Sequence, residues 1–238
     1  MTPMLEIEKL HAGYGKSLVL RGINLHVAQG EAIGLLGPNG HGKTTLLRCV
    51  SALHRPSRGD IRFEGTSLVT CSTRAVLQHG IVHVPQGSRL FPGLTVTDCL
   101  RLGAAANPRR GVARTLLSEV FDLFPKLAQR RTQLAGTLSG GERQMLSIGA
   151  GLMAGPRLLI LDEPTLGLSP KVRHELAAAV QAMRSRIEAL IIVDGDMDLV
   201  LGVTDRFFVI ESGQVVRTGE SAAGAGSDQI MALFLGET

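Results

Sequence analysis

The sequence predicts an α/β chain, a mostly parallel sheet flanked by helices, and three observations predict it. Short runs such as Ala32–Leu36, Leu158–Leu161 and Leu190–Val193 are apolar at nearly every position. Strands that read this way are covered on both faces, as strands of parallel sheets are. Segments of helical periodicity, Thr44 to Ala52, Glu142 to Met153 and Lys171 to Arg186, alternate with them. That order is expected where helices cross from one parallel strand to the next. Finally, the first apolar run passes straight through a glycine-rich loop into a helix.

The elements follow in order. Leu5 to Leu10 alternates apolar and polar residues, Leu18 to Val27 alternates in part, and Asp60 to Phe63 and Ile81 to Val84 are further strands. The N-terminal part is therefore β-rich and is read as an antiparallel β-subdomain. From Thr95 to about Ala128 the pattern is helical but less regular, as in a helical subdomain inserted into the core. Phe207 to Ile210 and Gln214 to Arg217 form a hairpin across Ser212-Gly213. The division expected is a core with its β-subdomain over residues 1–94 and 155–238, and a helical subdomain over 95–154. No internal repeat of about 20 to 50 residues is visible.

The 238 residues are enough for one large domain or two small lobes with a proper core. With 44% hydrophobic and 19% charged residues the chain reads as folded and soluble. No apolar run reaches the roughly 18 to 20 residues that cross a bilayer. The start, Met1-Thr2-Pro3-Met4-Leu5-Glu6, lacks the pattern of a signal peptide. A cytosolic chain that does not itself span the membrane is expected. Cys49, Cys71 and Cys99 are odd in number and widely spaced, which suits reduced thiols and no metal clip. The formal charge of +4 comes without a Lys/Arg block, and Arg109-Arg110 and Arg130-Arg131 read as solvated surface. With no Trp and one Tyr there is no stacking platform for single strands, and no nucleic-acid partner is expected.

Gly37-Pro38-Asn39-Gly40-His41-Gly42-Lys43-Thr44 matches the spacing G-x-x-x-x-G-K-[ST]. Glycines let backbone N–H groups turn inward onto phosphate oxygens, and the helix start adds a field that favours anions. This is the phosphate loop of a P-loop NTPase core. Lys43 is expected to reach the β- and γ-phosphates and Thr44 to offer its hydroxyl to Mg²⁺. Asp162 ends an apolar strand, where a carboxylate holds Mg²⁺ through its water shell. Glu163 follows and can accept the proton of an attacking water; a helix N-cap and first-turn acid is the alternative reading of the pair. Upstream, Leu138-Ser139-Gly140-Gly141-Glu142-Arg143-Gln144 opens a helix and so presents N–H groups and a hydroxyl to an anion. Ser139 with Glu142 also fits a capping box.

Together these segments resemble the nucleotide-binding subunit of an ABC transporter over nearly the whole chain, with Leu138 to Gln144 similar to the signature motif. The resemblance implies an ATPase in which two subunits face each other head to tail. ATP and Mg²⁺ would lie between Tyr14, Gly37, Pro38, Asn39, Gly40, His41, Gly42, Lys43, Thr44 and Thr45 of one subunit and Ser139, Gly140 and Gly141 of the other. It makes Tyr14 the aromatic that stacks on adenine and Gln86 the glutamine that senses Mg²⁺ and lies near the membrane partner. It places Ser169 in the D-loop. The catalytic set is then Lys43, Gln86 and Glu163, and the metal set Thr44, Gln86 and Asp162.

The wording of Glu163 to Pro170 and of Val84 to Val96 is similar to the ATPases of branched-chain amino-acid importers. The short chain, read as lacking a C-terminal regulatory domain, fits their F-type subunit. Urea and amide importers share much of this wording. The partners implied are a second ATPase subunit (G-type, otherwise homologous, or a second copy), two permeases and an external solute-binding protein. The place implied is the cytoplasmic face of the membrane. A soluble ABC ATPase and a weakly hydrolysing regulatory module are the other readings.

In one place the chain departs from that family. After Leu190–Val193 the segment Asp194-Gly195-Asp196-Met197 puts Gly195 where the family carries a switch histidine. Two consequences are open: a slower site on this chain's own loop, or a glycine kept for a turn of positive φ.

Overall fold

The computed structural model describes residues 3–107, 109 and 111–221; Arg110 and the end of the expected core, 222–238, lie outside them. Ten strands and eight helices follow one another among these residues. The strands β1 (Leu5–Tyr14), β2 (Ser17–Val27), β3 (Ala32–Leu36), β4 (Arg58–Phe63), β5 (Thr66–Ser67) and β6 (Ile81–Val84) make up the first part with α1 (Lys43–Val50) and α2 (Thr73–Gln78). Then come α3 (Val96–Ala104), α4 (Ala113–Leu123), α5 (Pro125–Gln129) and α6 (Gly140–Met153). The chain continues with β7 (Leu158–Asp162), α7 (Pro170–Met183), β8 (Ala189–Val193), α8 (Met197–Val203), β9 (Arg206–Glu211) and β10 (Gln214–Glu220).

Two sheets form. One is antiparallel, ordered β2-β1-β4-β5; the other is six-stranded, ordered β10-β9-β3-β8-β7-β6, parallel except for its edge strand β10. The apolar runs of the sequence are the central strands of the second sheet, and alternate residues serve two cores. Ile33, Leu35, Ile160, Ile191, Val193, Phe208 and Ile210 face α1 and the antiparallel sheet. Leu36, Leu159, Leu161, Leu190, Ile192, Phe207 and Val209 face a second core that takes in α6, α7 and α8. A strand buried on both sides has no polar face to show, hence the unbroken apolar runs.

The helical pattern read over Thr95 to Ala128 resolves into α3, α4 and α5. Gly111, at φ +86°, precedes α4, and Pro125 opens α5, so the periodicity restarts twice. Residues 133–135 run back beside 94–96: Gln133 O accepts from Val96 N and Leu94 O from Ala135 N. This pairing brings the segment before α6 back to the start of α3. Sequence periodicity misses α2, β5 and α8, which have six, two and seven residues; so few positions do not repeat a 3.6-residue pattern.

Candidate active site

Between β3 and α1 the chain makes the phosphate loop. Gly37, Gly40 and Gly42 have φ of +134°, +80° and +109°, a region that favours glycine. At Gly37 a Cβ would meet Ile210 O at 2.1 Å, so the loop lies hard against β9. The β9–β10 turn holds its other side: Ser212 N donates to His41 Nδ1 (3.1 Å) and Gly213 N to His41 O (3.2 Å). Lys43 is 7% exposed and donates through Nζ to Gly37 O (2.6 Å) and Pro38 O (2.9 Å). Burial pulls its pKa down, and the carboxylates of Glu163 and Asp162 pull it back up.

At the next residue, Thr44 Oγ1 donates to Asp162 Oδ1 at 3.3 Å. Asp162 sits at the buried end of β7. Burial pushes its pKa up, Glu163 adds to this, and Thr44, Arg48 and Lys43 oppose it. Glu163 turns the chain at φ +48°, its amide donating to Val193 O (2.7 Å) and its Oε2 accepting from Gln86 Nε2 (3.0 Å). The next helix does not begin until Pro170, so the pair is not a helix cap. Lys43, Thr44, Gln86, Asp162 and Glu163, from three separate stretches of chain, thus meet at the mouth of one loop.

The donors here are a hydroxyl, a carboxylate and an amide oxygen, and among the described residues no cluster of three His, Cys, Asp or Glu exists. Such a set suits a hard cation that shares its shell with phosphates and water, as Mg²⁺ does. Thr45, by contrast, is buried on α1.

Two cavities flank the loop. One, of about 290 Å³, is lined by Tyr14, Thr44, Arg48, His83, Gln86 and Asp162 among others. Tyr14 is 46% exposed, its ring 4.5 Å from that of His54 at 33°, its hydroxyl accepting from Arg48 Nη1 at 3.3 Å. The other, of about 230 Å³, includes Asn39, Glu163, Thr165, Asp194 and Gly195 in its lining. Ser139 and Gly140 line neither. Ser139 caps α6 in a complete capping box: its Oγ accepts from Glu142 N (3.3 Å) and its amide donates to Glu142 Oε2 (2.9 Å). The two glycines after it differ. A Cβ on Gly140 would meet nothing within 4 Å, whereas one on Gly141 would strike Val172 Cγ1 at 2.5 Å. Gly140 leaves space above the helix start; Gly141 packs it onto α7.

Gly195 is not among the positive-φ residues, and a Cβ there would meet nothing within 4 Å. The turn therefore does not require glycine, which removes the backbone explanation. Its neighbour Asp194, unremarked in the sequence, is 6% exposed. It accepts from Thr165 N (2.8 Å), Thr165 Oγ1 (2.5 Å) and Asp196 N (2.8 Å). It locks the loop after Glu163 to the loop after β8. Its one signal in the sequence is an acid directly after a wholly apolar run. Ser88 Oγ donating to Gln144 Oε1 (2.7 Å), which ties the segment after Gln86 to α6, had no such signal. Ser169 precedes Pro170 at the start of α7, and Leu166 beside it is 60% exposed.

Comparison with known proteins agrees with this fold. The family model described as "ABC transporter" matches residues 20–166. The high-affinity branched-chain amino acid transport ATP-binding protein BraG of Pseudomonas aeruginosa is 35% identical over 233 residues, covering 98% of this chain and all of that one. The corresponding BraF of the same organism is 29% identical and covers 99% of this chain and 98% of its own length. A solved ATP-binding subunit of an ABC transporter superposes with a TM-score of 0.83 at 26% identity, over 98% of this chain and 99% of the other.

Proposed function

Because the chain belongs to the ABC transporter family, as an ATP-binding subunit with ATPase chemistry, we propose that it powers an importer of branched-chain or other hydrophobic amino acids. The observation that carries the catalytic reading is the convergence of Lys43, Thr44, Gln86, Asp162 and Glu163 on the mouth of the phosphate loop. The importer reading is supported by BraG, which is matched along its entire length.

In this reading Lys43 leaves the Gly37 and Pro38 carbonyls for the β- and γ-phosphates. Loop amides of Asn39 to Thr45 hold the phosphate chain, and Tyr14 offers an exposed ring to adenine. Thr44, Gln86 and Asp162 would hold Mg²⁺, which would supply charge compensation for the phosphates. Glu163 is the base for in-line attack of water on the γ-phosphate, and its bond from Gln86 orients it. Ser139, Gly140 and Gly141 complete the site of a facing subunit; the open space above Gly140 supports this.

The partners are a second ATPase subunit, two permeases and, through them, an external solute-binding protein, without nucleic acid. The higher identity to BraG than to BraF, 35% against 29%, favours the G-type place in such a pair over the F-type place expected from the sequence. No described helix is long and apolar enough to cross a membrane, which suits peripheral attachment to permeases on the cytoplasmic face.

The test is ATP hydrolysis by the assembled transporter in liposomes, with the binding protein loaded in turn with leucine, isoleucine, valine, urea and short amides. Stimulation by the branched-chain amino acids is expected. Stimulation by urea or amides alone would replace this substrate class with the other.

A further inference from the structure

His83 lies on β6 beside β7, and the site described above makes no use of it. Residues 83, 160 and 162 share the sheet face that looks toward α1: His83 is paired in register with Ile160, two positions before Asp162. Its side chain is 5% exposed and Asp162's is 2%. At the far end of α1, Ser51 Oγ lies 2.9 Å from His83 Nδ1. His83 Nε2 lies 4.0 Å from Asp162 Oδ2 and, among the described residues, has no hydrogen-bond partner. Asp162 Oδ1 already accepts from Thr44. A buried, unpartnered ring nitrogen is thus aimed at the free oxygen of the carboxylate assigned to the metal.

The proton positions follow from the surrounding partners. Leu47 O accepts from the amide of Ser51 (3.0 Å), so it does not depend on the Ser51 hydroxyl that also lies 2.8 Å away. The hydroxyl has Leu47 O at 2.8 Å and His83 Nδ1 at 2.9 Å, and turning its one proton to the ring leaves Leu47 O still paired with the Ser51 amide. The other tautomer would set a bare Nε2 lone pair against a carboxylate oxygen, acceptor against acceptor. With Ser51 O–H given to Nδ1, Nε2–H faces Asp162 Oδ2 from 4.0 Å, still short of a hydrogen bond.

We propose that His83 is a positioning residue for Asp162, donating Nε2–H to Oδ2 once the carboxylate closes the last ångström on binding metal, with Ser51 fixing the ring. This rests on the reading of Asp162 as a metal-site residue. The experiment uses the full chain with a non-hydrolysable ATP analogue and Mn²⁺ as the probe, its free concentration read by electron paramagnetic resonance. His83→Leu is expected to weaken Mn²⁺ binding about 10-fold or more, as loss of a partner behind a metal ligand does. Affinity for the metal-free nucleotide stays unchanged, and His83→Gln, which keeps a donor, recovers most of the loss. Nitrogen-15 spectra of the unsubstituted chain are expected to show the Nε2–H tautomer at His83.

Wild-type Mn²⁺ affinity in His83→Leu, or an Nδ1–H tautomer, would overturn the proposal. Asp162→Asn separates the layers. If it too binds Mn²⁺ as tightly as wild type, the reading of Asp162 fails. If it loses Mn²⁺ while His83→Leu does not, only the role of His83 fails.

Discussion

At Gly195 the chain gives up a side chain in the wall of the cavity beside Glu163. The backbone does not call for glycine, and the space in front of its Cα is open. In the proposed reading, hydrolysis on this chain's own loop lacks one group that could hold the γ-phosphate and water in register. Gly195→His is expected to fold normally and to raise the ATPase rate of the assembled transporter by about 10-fold or more, the scale on which single preorganised donors act. Unchanged turnover would show that the site does not miss the histidine. Lys43, Thr44 and Glu163 could be singled out from the sequence because the motifs that contain them are local, although Thr44 and Glu163 meet their partners Asp162 and Gln86 only through the fold. His83 and Asp194 could not. Their meaning lies in contacts with Ser51, Asp162 and Thr165, 29 or more positions away, and no spacing rule carries such information.

Among the elements, α6 shows how one short motif holds two requirements. Its capping box satisfies N–H groups at the start, and Gly141 lets that start press on Val172 while Gly140 stays open. Gly141→Ala is expected to destabilise the chain by about 1–3 kcal/mol, as overpacking does, in urea or thermal unfolding. Gly140→Ala should be near neutral. Equal effects from both would contradict this division. The central strands and α6 were readable from the sequence because a strand buried on both faces, or a capped 14-residue helix, leaves a strong local pattern. The breaks between α3, α4 and α5 were not, since the restart at Gly111 and Pro125 interrupts the periodicity.

For the whole molecule, Arg157 joins the two sheets. It donates to Glu64, just beyond β4, at 2.7 and 2.5 Å, and to Glu188, just before β8, at 3.0 and 2.9 Å. These bonds hold both carboxyls below their ordinary value of 4.5, against the opposing effect of burial. A depressed folded pKa means stability that is fully present above the unfolded value and is lost as pH falls through the folded one. Unfolding followed from neutral pH down through the carboxylate range should therefore show a steeper loss in the wild-type chain than in Arg157→Ala. Parallel curves would mean that the cluster adds nothing.

At the same scale stands the proposed division of labour between facing subunits. Gly140 leaves open space at the start of α6, and Gly195 leaves the wall of the cavity beside Glu163 without a side chain. ATP turnover by the assembled transporter carrying Gly140→Asp or Glu163→Gln in this chain tests that division most directly. Gly140→Asp, in the segment proposed to complete the partner's site, is expected to remove most of the rate, and Glu163→Gln the smaller share. The reverse order, with Glu163→Gln abolishing turnover and Gly140→Asp leaving it intact, would contradict that division.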